Sequence, residues 1–230
     1  MSEQAPSLDF SLVLANTVHD MKNSLSMVVG ALDQITEQCG NAGCASQQMF
    51  SQLRYEGKRL NSNLIQILTL YRIESDHYSL NISEQDVSEL LEECYLENEG
   101  LLALKGIELE MDCEEDLLCF LDRELISSIL NSVVNNAFKY TRDRIRIGAR
   151  REDGYTAIFI EENGGGYPAT MLHGAGQAPA DIDIRNGSTG LGLYFTATIA
   201  RMHHHKDRCG YITTTNDGID GGGRFTLYLP

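Results

Sequence analysis

The stretch VHDMKNSL, residues Val18 to Leu25, puts an imidazole next to a carboxylate. Leu14, Val18, Met21, Leu25, Val28, Leu32 and Ile35 recur in alternating steps of four and three, the spacing of a helix that packs on other helices. His19 falls one residue past Val18, about 100° around such a helix and off its apolar seam. A solvent-facing His19 can act as a nucleophile, with Asp20 as the base that takes its proton. Asn23, four residues on, shares the face of His19. A solvated His–Asp surface pair has the same local sequence, so the assignment depends on what the rest of the chain offers.

Three patches farther along could hold a flat, charged ligand. In SVVNNAFKYT, Asn136 can offer its amide oxygen to a hard cation, and Lys139, three residues on, can meet phosphate from the same helix face. In EENGGGYP, Glu162 can accept a hydrogen bond from an exocyclic amine, while Gly164 and Gly166 let the backbone come close. In GSTGLGLYF, residues Gly187, Thr189, Gly190, Leu191 and Gly192 lead into a helix. The free N–H groups at its start suit an anionic phosphate chain.

The elements that must position these groups fall into two parts. A helix is expected over Leu8–Gln38, closed by Gly40 and Gly43, and a second over Ser46–Ser75, with Phe50, Leu53, Gly57, Leu60, Leu64, Ile67 and Tyr71 inward. Two such helices form an antiparallel hairpin roughly 45 Å long. One side of its seam is left uncovered, and two copies about a two-fold axis would close a four-helix bundle, so a homodimer is expected. The composition turns polar around Asp76–Ser83, which sets the domains at 1–78 and 79–230.

In the second part, helices are expected at Val87–Leu104, Arg123–Tyr140 and Gly190–His204. Strands are expected at Ile107–Met111, Leu117–Leu121, Arg144–Ala149, Tyr155–Glu161, Tyr211–Thr215 and Arg224–Leu229. Helices among antiparallel strands imply an α/β sandwich, one sheet with helices on one face, so the chain as a whole is α+β. The glycine-rich loop Gly164–Gly187 is long for a compact domain and reads as a lid.

The chain's 230 residues carry 33 acidic side chains against 18 basic ones, a formal charge of −15. That balance argues against direct nucleic-acid binding, which rests on cationic contacts to phosphate. No stretch approaches the roughly 18 apolar residues of a membrane helix. The start, MSEQAPSLDF, lacks the basic and apolar regions of a secretory signal, which makes the cytoplasm the default location. The six cysteines form no C-x-x-C pair, and Cys39 and Cys44, around GNAG, read as reduced bystanders. Consecutive His203, His204 and His205 point in different directions on a helix and make no ligand set. They read as a helix end, where imidazoles suit the negative pole of the dipole.

The order of these patches, ending in GGRFTLYLP, resembles the bacterial histidine kinases of two-component signalling. SVVNNAFKYT is similar to that family's N box, EENGGGYP to its first glycine box, GSTGLGLYF to its second, and VHDMKNSL to its phosphoacceptor motif. The resemblance implies a dimerisation and histidine-phosphotransfer hairpin followed by an ATP-binding α/β sandwich of the GHKL type. It further implies that His19 attacks the γ-phosphate of ATP, that Asp20 orients the ring and takes its proton, and that Asn23 positions water for dephosphorylating a partner. Asn136 would ligate Mg²⁺ and Lys139 would lie near the phosphates. Glu162, Gly164 and Gly166 would shape the adenine pocket, and Gly187, Thr189, Gly190, Leu191 and Gly192 would close over the phosphates.

Four departures stand out. Glu162 replaces the family's adenine-reading Asp, Ser132 replaces the first Asn of the N box, Ser24 replaces a Pro after the acceptor motif, and HHHKDRCG reads as an insertion. Shortening Glu162 to Asp is therefore expected to leave nucleotide affinity equal or better. With about seven residues before the hairpin and none after Pro230, input is expected from a separate sensor or upstream protein, and the acceptor carboxylate from a separate response regulator. The leading reading is a soluble ATP-dependent histidine kinase, with response-regulator phosphatase activity open beside it. Two others stay open: a dimeric histidine phosphotransferase with a degenerate ATP domain that relays phosphate between receiver domains, and a regulatory module that binds a partner by its hairpin.

Overall fold

A computed structural model describes residues 21–32, 34–35, 47–75, 78–174 and 190–230. The chain divides into two compact units at Ser79 and Leu80. In the first, residues 21–32 and 34–35 are helical (α1) and α2 spans Gln47–Glu74. The helices run antiparallel: the Ser26 hydroxyl lies 3.5 Å from Asn61 Oδ1, and Gly57 faces Val29. A Cβ on Gly57 would sit 2.7 Å from Val29 Cγ2, so the missing side chain lets the helices approach. The apolar residues expected along the seam are partly open in a single chain: Met21 is 55% exposed, Val28 53%, Leu53 48% and Leu60 49%. Among the described residues no helix is long and apolar enough to cross a membrane.

The second unit has strands β1 (Ser83–Asp86), β2 (Glu108–Cys113), β3 (Leu118–Leu121), β4 (Arg144–Glu152), β5 (Tyr155–Glu162), β6 (His204–His205), β7 (Arg208–Cys209), β8 (Tyr211–Thr215) and β9 (Arg224–Leu229). Its helices are α3 (Val87–Leu104), α4 (Arg123–Tyr140) and α5 (Gly190–Met202). Two aspartates start two of them. Asp86 accepts from the N–H groups of Ser88 and Glu89 at the head of α3, and Asp122 accepts from Leu125 N–H at the head of α4.

The main sheet has the order β2-β4-β5-β9-β8. Register sets apolar rows across it, Ile147 beside Ile160 beside Phe225, and Ala149 beside Ile158 beside Leu227. These rows are buried, and the buried stripe of α4 (Leu125, Ile126, Ile129, Val133) supplies the facing layer. The reverse face uses arginines as its cover. The Arg224 guanidinium sits 4.8 Å and that of Arg150 5.5 Å from the Phe159 ring centre. Glu161 is paired to Arg224 at 2.9 Å and to Arg146 at 3.5 Å, with Arg146 also meeting Glu110 at 2.8 Å. Arginine stems thereby cover an aromatic ring on this face of the sheet.

Three expectations are corrected. The sheet is mixed, because β2 runs parallel to β4; the chain between them crosses over through α4, the connection that parallel strands require. β3 leaves the main sheet and pairs antiparallel with β1, a short polar strand that reads as linker in sequence. The third concerns the histidines: α5 stops at Met202, and the reading of an insertion corresponds to the β6–β7 ribbon.

His203, 1% exposed, is no cation serving a helix pole. Its Nδ1–H donates to Ile199 O at 2.9 Å, so its Nε2 accepts from Asp122 N–H at 3.0 Å, and only a neutral ring can do both. Burial is the main cause that holds its pKa below the ordinary value, partly opposed by the Ile199 carbonyl and the Asp122 carboxylate. The unfolded chain takes up this proton as pH falls below about 6.5 while the folded chain does not. Stability is therefore full above that pH and declines below it, by at most about 1.4 kcal/mol per pH unit for one proton. Urea midpoints between pH 8 and 5.5 should fall more steeply for the wild-type chain than for His203→Gln, and coincident slopes would remove His203 as the linked group.

Candidate functional site

A cavity of about 260 Å³ opens between the sheet and helices α4 and α5. Helical spacing explains the first wall: Ser132, Val133, Asn136, Ala137 and Tyr140 lie on one face of α4. Ile160 and Glu162 come from the end of β5, and Gly223 and Phe225 from the start of β9. The opening turns of α5 add Gly192, Leu193 and Thr196, whose hydroxyl donates to Gly192 O at 2.8 Å. The loop after β5 closes the ring with Gly166, Tyr167, Pro168 and Met171. The walls are mostly apolar, with Glu162 the only acidic lining group among the described residues. Such a lining suits an apolar ring that carries a hydrogen-bond donor.

Asn163 follows the lining residue Glu162 and fixes the end of β5 without itself lining the cavity. It is 3% exposed, and its Oδ1 accepts from the N–H groups of Asp143 at 3.2 Å and Arg144 at 3.1 Å. Its Nδ2 donates to Asp143 Oδ1 at 2.7 Å, and its backbone carbonyl accepts from Arg142 Nε at 2.5 Å. One side chain thereby fastens the end of β5 to the segment that follows α4. The loop next to it is held by Asn216, whose Oδ1 accepts from Tyr167 N–H at 2.6 Å and whose Nδ2 donates to Tyr167 O at 3.0 Å. Gly166 sits at φ +73°, and a Cβ there would lie 2.6 Å from Asn216 Oδ1, so both backbone and space call for glycine. Burial and the neighbouring Glu162 push the Tyr167 phenol up, which keeps it a neutral O–H.

Of the residues singled out in sequence, Asn136, Glu162, Gly166 and Gly192 line the cavity together. Gly164 stands beside it and donates its N–H to Glu162 Oε2. Lys139 is exposed near the end of α4, and Leu191 is half-buried in the first turn of α5; neither lines the cavity. Gly190 begins α5. Asn23 is exposed on α1. His19, Asp20, Gly187 and Thr189, with Cys39 and Cys44, lie outside the described residues. Sequence reasoning missed Asn163, Tyr167 and Gly223. The run GGGR before the last strand was the available signal for Gly223, and nothing local marks the partners of Asn163. The Cys94 thiol is pushed up to about 12 by burial, and those of Cys113 and Cys119 are also raised, so these three are poor nucleophiles.

Residues 121–230 match the family described as histidine kinase-, DNA gyrase B-, and HSP90-like ATPases. Over 223 residues the chain is 24% identical to the sensor histidine kinase TmoS of Ectopseudomonas mendocina, covering 94% of this chain and 22% of that protein. It is 20% identical to the sensor protein SrrB of Staphylococcus aureus, covering 94% of this chain and 37% of SrrB. The chain thus spans well under half the length of these relatives. In fold it is similar to the catalytic domain of histidine kinase ThkA, with a TM-score of 0.54 at 23% identity over 66% of this chain and 96% of that one. It is also similar to full-length ShkA in complex with AMPPNP, with a TM-score of 0.64 at 21% identity over 96% of this chain and 46% of that one.

Removing the Asn163 amide leaves the N–H groups of Asp143 and Arg144 and the Asp143 carboxylate without this partner. Asn163→Ala should cost roughly 2–4 kcal/mol. Calorimetry should show a clear fall in the melting temperature of the second unit, and a loss below about 1 kcal/mol would deny the amide its holding role.

Proposed function

We propose that the chain is a histidine kinase of the two-component kind, with an ATP-binding unit of the GHKL type, that transfers the terminal phosphoryl group of ATP to its own His19; the match of residues 121–230 to the histidine kinase-, DNA gyrase B-, and HSP90-like ATPases and the likeness to sensor kinases support this reading. The observation that carries the reading is the cavity itself: apolar walls, the Glu162 carboxylate among them, and Asn136 on the adjoining helix face. Glu162 would accept from the adenine amine, as a carboxylate does from any exocyclic donor. Gly164 and Gly166 would shape that pocket. Asn136 offers an amide oxygen and Ser132, one turn earlier on the same face, a hydroxyl. Hard oxygens of this kind fit Mg²⁺, which takes its other ligands from phosphates and water and, when bound, neutralises charge on the transferring group. Gly187, Thr189, Gly190, Leu191 and Gly192 at the head of α5, with Lys139, would serve the phosphates.

In the step itself a ring nitrogen of His19 forms a bond to the γ-phosphorus as the bond to the ADP oxygen breaks. ADP leaves with the electron pair, and Asp20 takes the ring proton. The phosphohistidine then passes its phosphoryl group to a carboxylate of a response regulator. Asn23 positions water for the reverse task, dephosphorylating that regulator. The cytoplasm is the expected compartment.

The hairpin serves this chemistry as a homodimer. Met21, Val28, Leu53, Leu60 and Ile67, each more than a third exposed in one chain, would be covered by the same residues of a second copy in a four-helix bundle. Burying one leucine of this kind contributes roughly 1.5–3 kcal/mol per copy. Light scattering should find a dimer for the wild-type chain and a shift toward monomer for Leu60→Asp; a variant that stays fully dimeric would place the interface elsewhere.

A second reading, a dimeric histidine phosphotransferase with a degenerate ATP domain, draws on one observation. Both oxygens of Glu162 already accept backbone N–H groups, from Gly164 and Gly223. Incubation with γ-labelled ATP and Mg²⁺ separates the two. An acid-labile label that disappears in His19→Gln is expected. Absence of label, together with transfer from a phosphorylated receiver domain, would replace the kinase with the relay.

A further inference from the structure

Glu162 closes the end of β5, and two separate segments converge on its side chain. Its own N–H donates to Gly223 O at 2.9 Å, and its Oε1 accepts from Gly223 N–H at 2.6 Å, so the two residues bond reciprocally. Its Oε2 accepts from Gly164 N–H on the other side. The carboxylate is 7% exposed and lines the cavity. Room for it is limited. A Cβ on Gly223 would stand 2.8 Å from Oε1 and 3.1 Å from the Tyr167 ring. The space that a side chain at 223 would fill is the space the longer glutamate uses. An aspartate, shorter by one C–C bond of about 1.5 Å, would fall short of Gly223 N–H and leave a gap beside a buried donor. This reverses the expectation that Glu162→Asp keeps or improves affinity.

We infer that Glu162 and Gly223 form a matched pair in which the bare backbone at 223 seats the carboxylate, and that the pair sets the cavity's preference for a purine bearing an exocyclic amine. The inference rests on the proposal that the cavity takes a nucleotide. The carboxylate has about four lone-pair directions. Two are taken by Gly223 and Gly164, and what remains is an acceptor that Val133, Ile160, Leu193 and Phe225 cannot supply. A ring amine satisfies it, whereas a ring carbonyl in that place would set oxygen against oxygen. Gly223 thus acts as a positioning residue and Glu162 as the reader.

The test is a double-mutant cycle in the full chain: wild type, Glu162→Asp, Gly223→Ser and both together. Calorimetric titration with ADP and with inosine diphosphate, in Mg²⁺, reads affinity; thermal melting without nucleotide reads the pair itself. The wild-type chain should prefer ADP at least tenfold. Each single variant should lose most of that preference and melt lower. In the double variant, the serine hydroxyl fills the vacated space and donates to the shorter carboxylate, so preference should return to within about threefold and the melting temperature should recover. Additive losses would overturn the pairing. An equal loss for both nucleotides would overturn the selectivity role and leave only packing. A wild-type chain that binds neither nucleotide would defeat the nucleotide reading instead, and the melting cycle would still decide whether the pair is coupled.

Discussion

The cleft depends on the reciprocal bonding between the ends of β5 and its neighbours. A strand end followed by glycines has no intrinsic reason to stop in one place, because glycine loses more conformational freedom on ordering than any other residue. Here the ordering comes from Asn163 on one side and Glu162 on the other. Asn163 ties the strand end to residues 142–144 after α4, and Glu162 ties it to Gly164 and Gly223. Both side chains are nearly fully buried, so each lost partner would expose a desolvated polar group, which is the costly side of hydrogen bonding. The cavity wall is in this sense held open by buried polar contacts and filled out by apolar ones.

A second polar node sits at the far ends of the same helices. Asp122 accepts from Leu125 N–H at the head of α4 and from Asn81 N–H at 2.9 Å, while its own N–H is taken by His203 just past α5. One residue thus joins the segment that enters the unit, the start of one cavity helix and the end of the other. These bonds fix the head of α4 and the end of α5 to each other, a constraint that the apolar stripe of α4 alone would not supply. The reverse face of the sheet solves a different problem. There Phe159 is covered by the guanidinium groups of Arg150 and Arg224, and ion pairs of Arg224 and Arg146 with Glu161 and Glu110 run across the same face.

Much of the secondary structure was legible because the elements are strongly periodic and well capped. The bounds of α3 and α4 follow from Asp86 and Asp122, which are good N-caps directly before apolar periods. The pairing of strands was not legible. β1 is polar and short, and only its partner β3 makes it a strand. The parallel run of β2 beside β4 depends on a crossover through α4, which no local pattern records. His203 shows the same limit: three histidines in a row look alike in sequence, and only packing makes the first a buried neutral acceptor.

Residue types and spacing by themselves put the chemistry on offer: a histidine with a neighbouring carboxylate, an asparagine and a lysine three residues apart on α4, and two glycine-rich runs at either end of a long connection. They did so because side-chain chemistry and helical periodicity are local properties. Tertiary structure alone decided how the second unit's groups meet. It set Asn136, Glu162, Gly166 and Gly192 around one cavity and left Lys139 and Leu191 outside its lining. It also turned the carboxylate of Glu162 onto Gly223, 61 residues away. Contacts of that separation arise only when strands pair, and pairing is a property of the whole sheet.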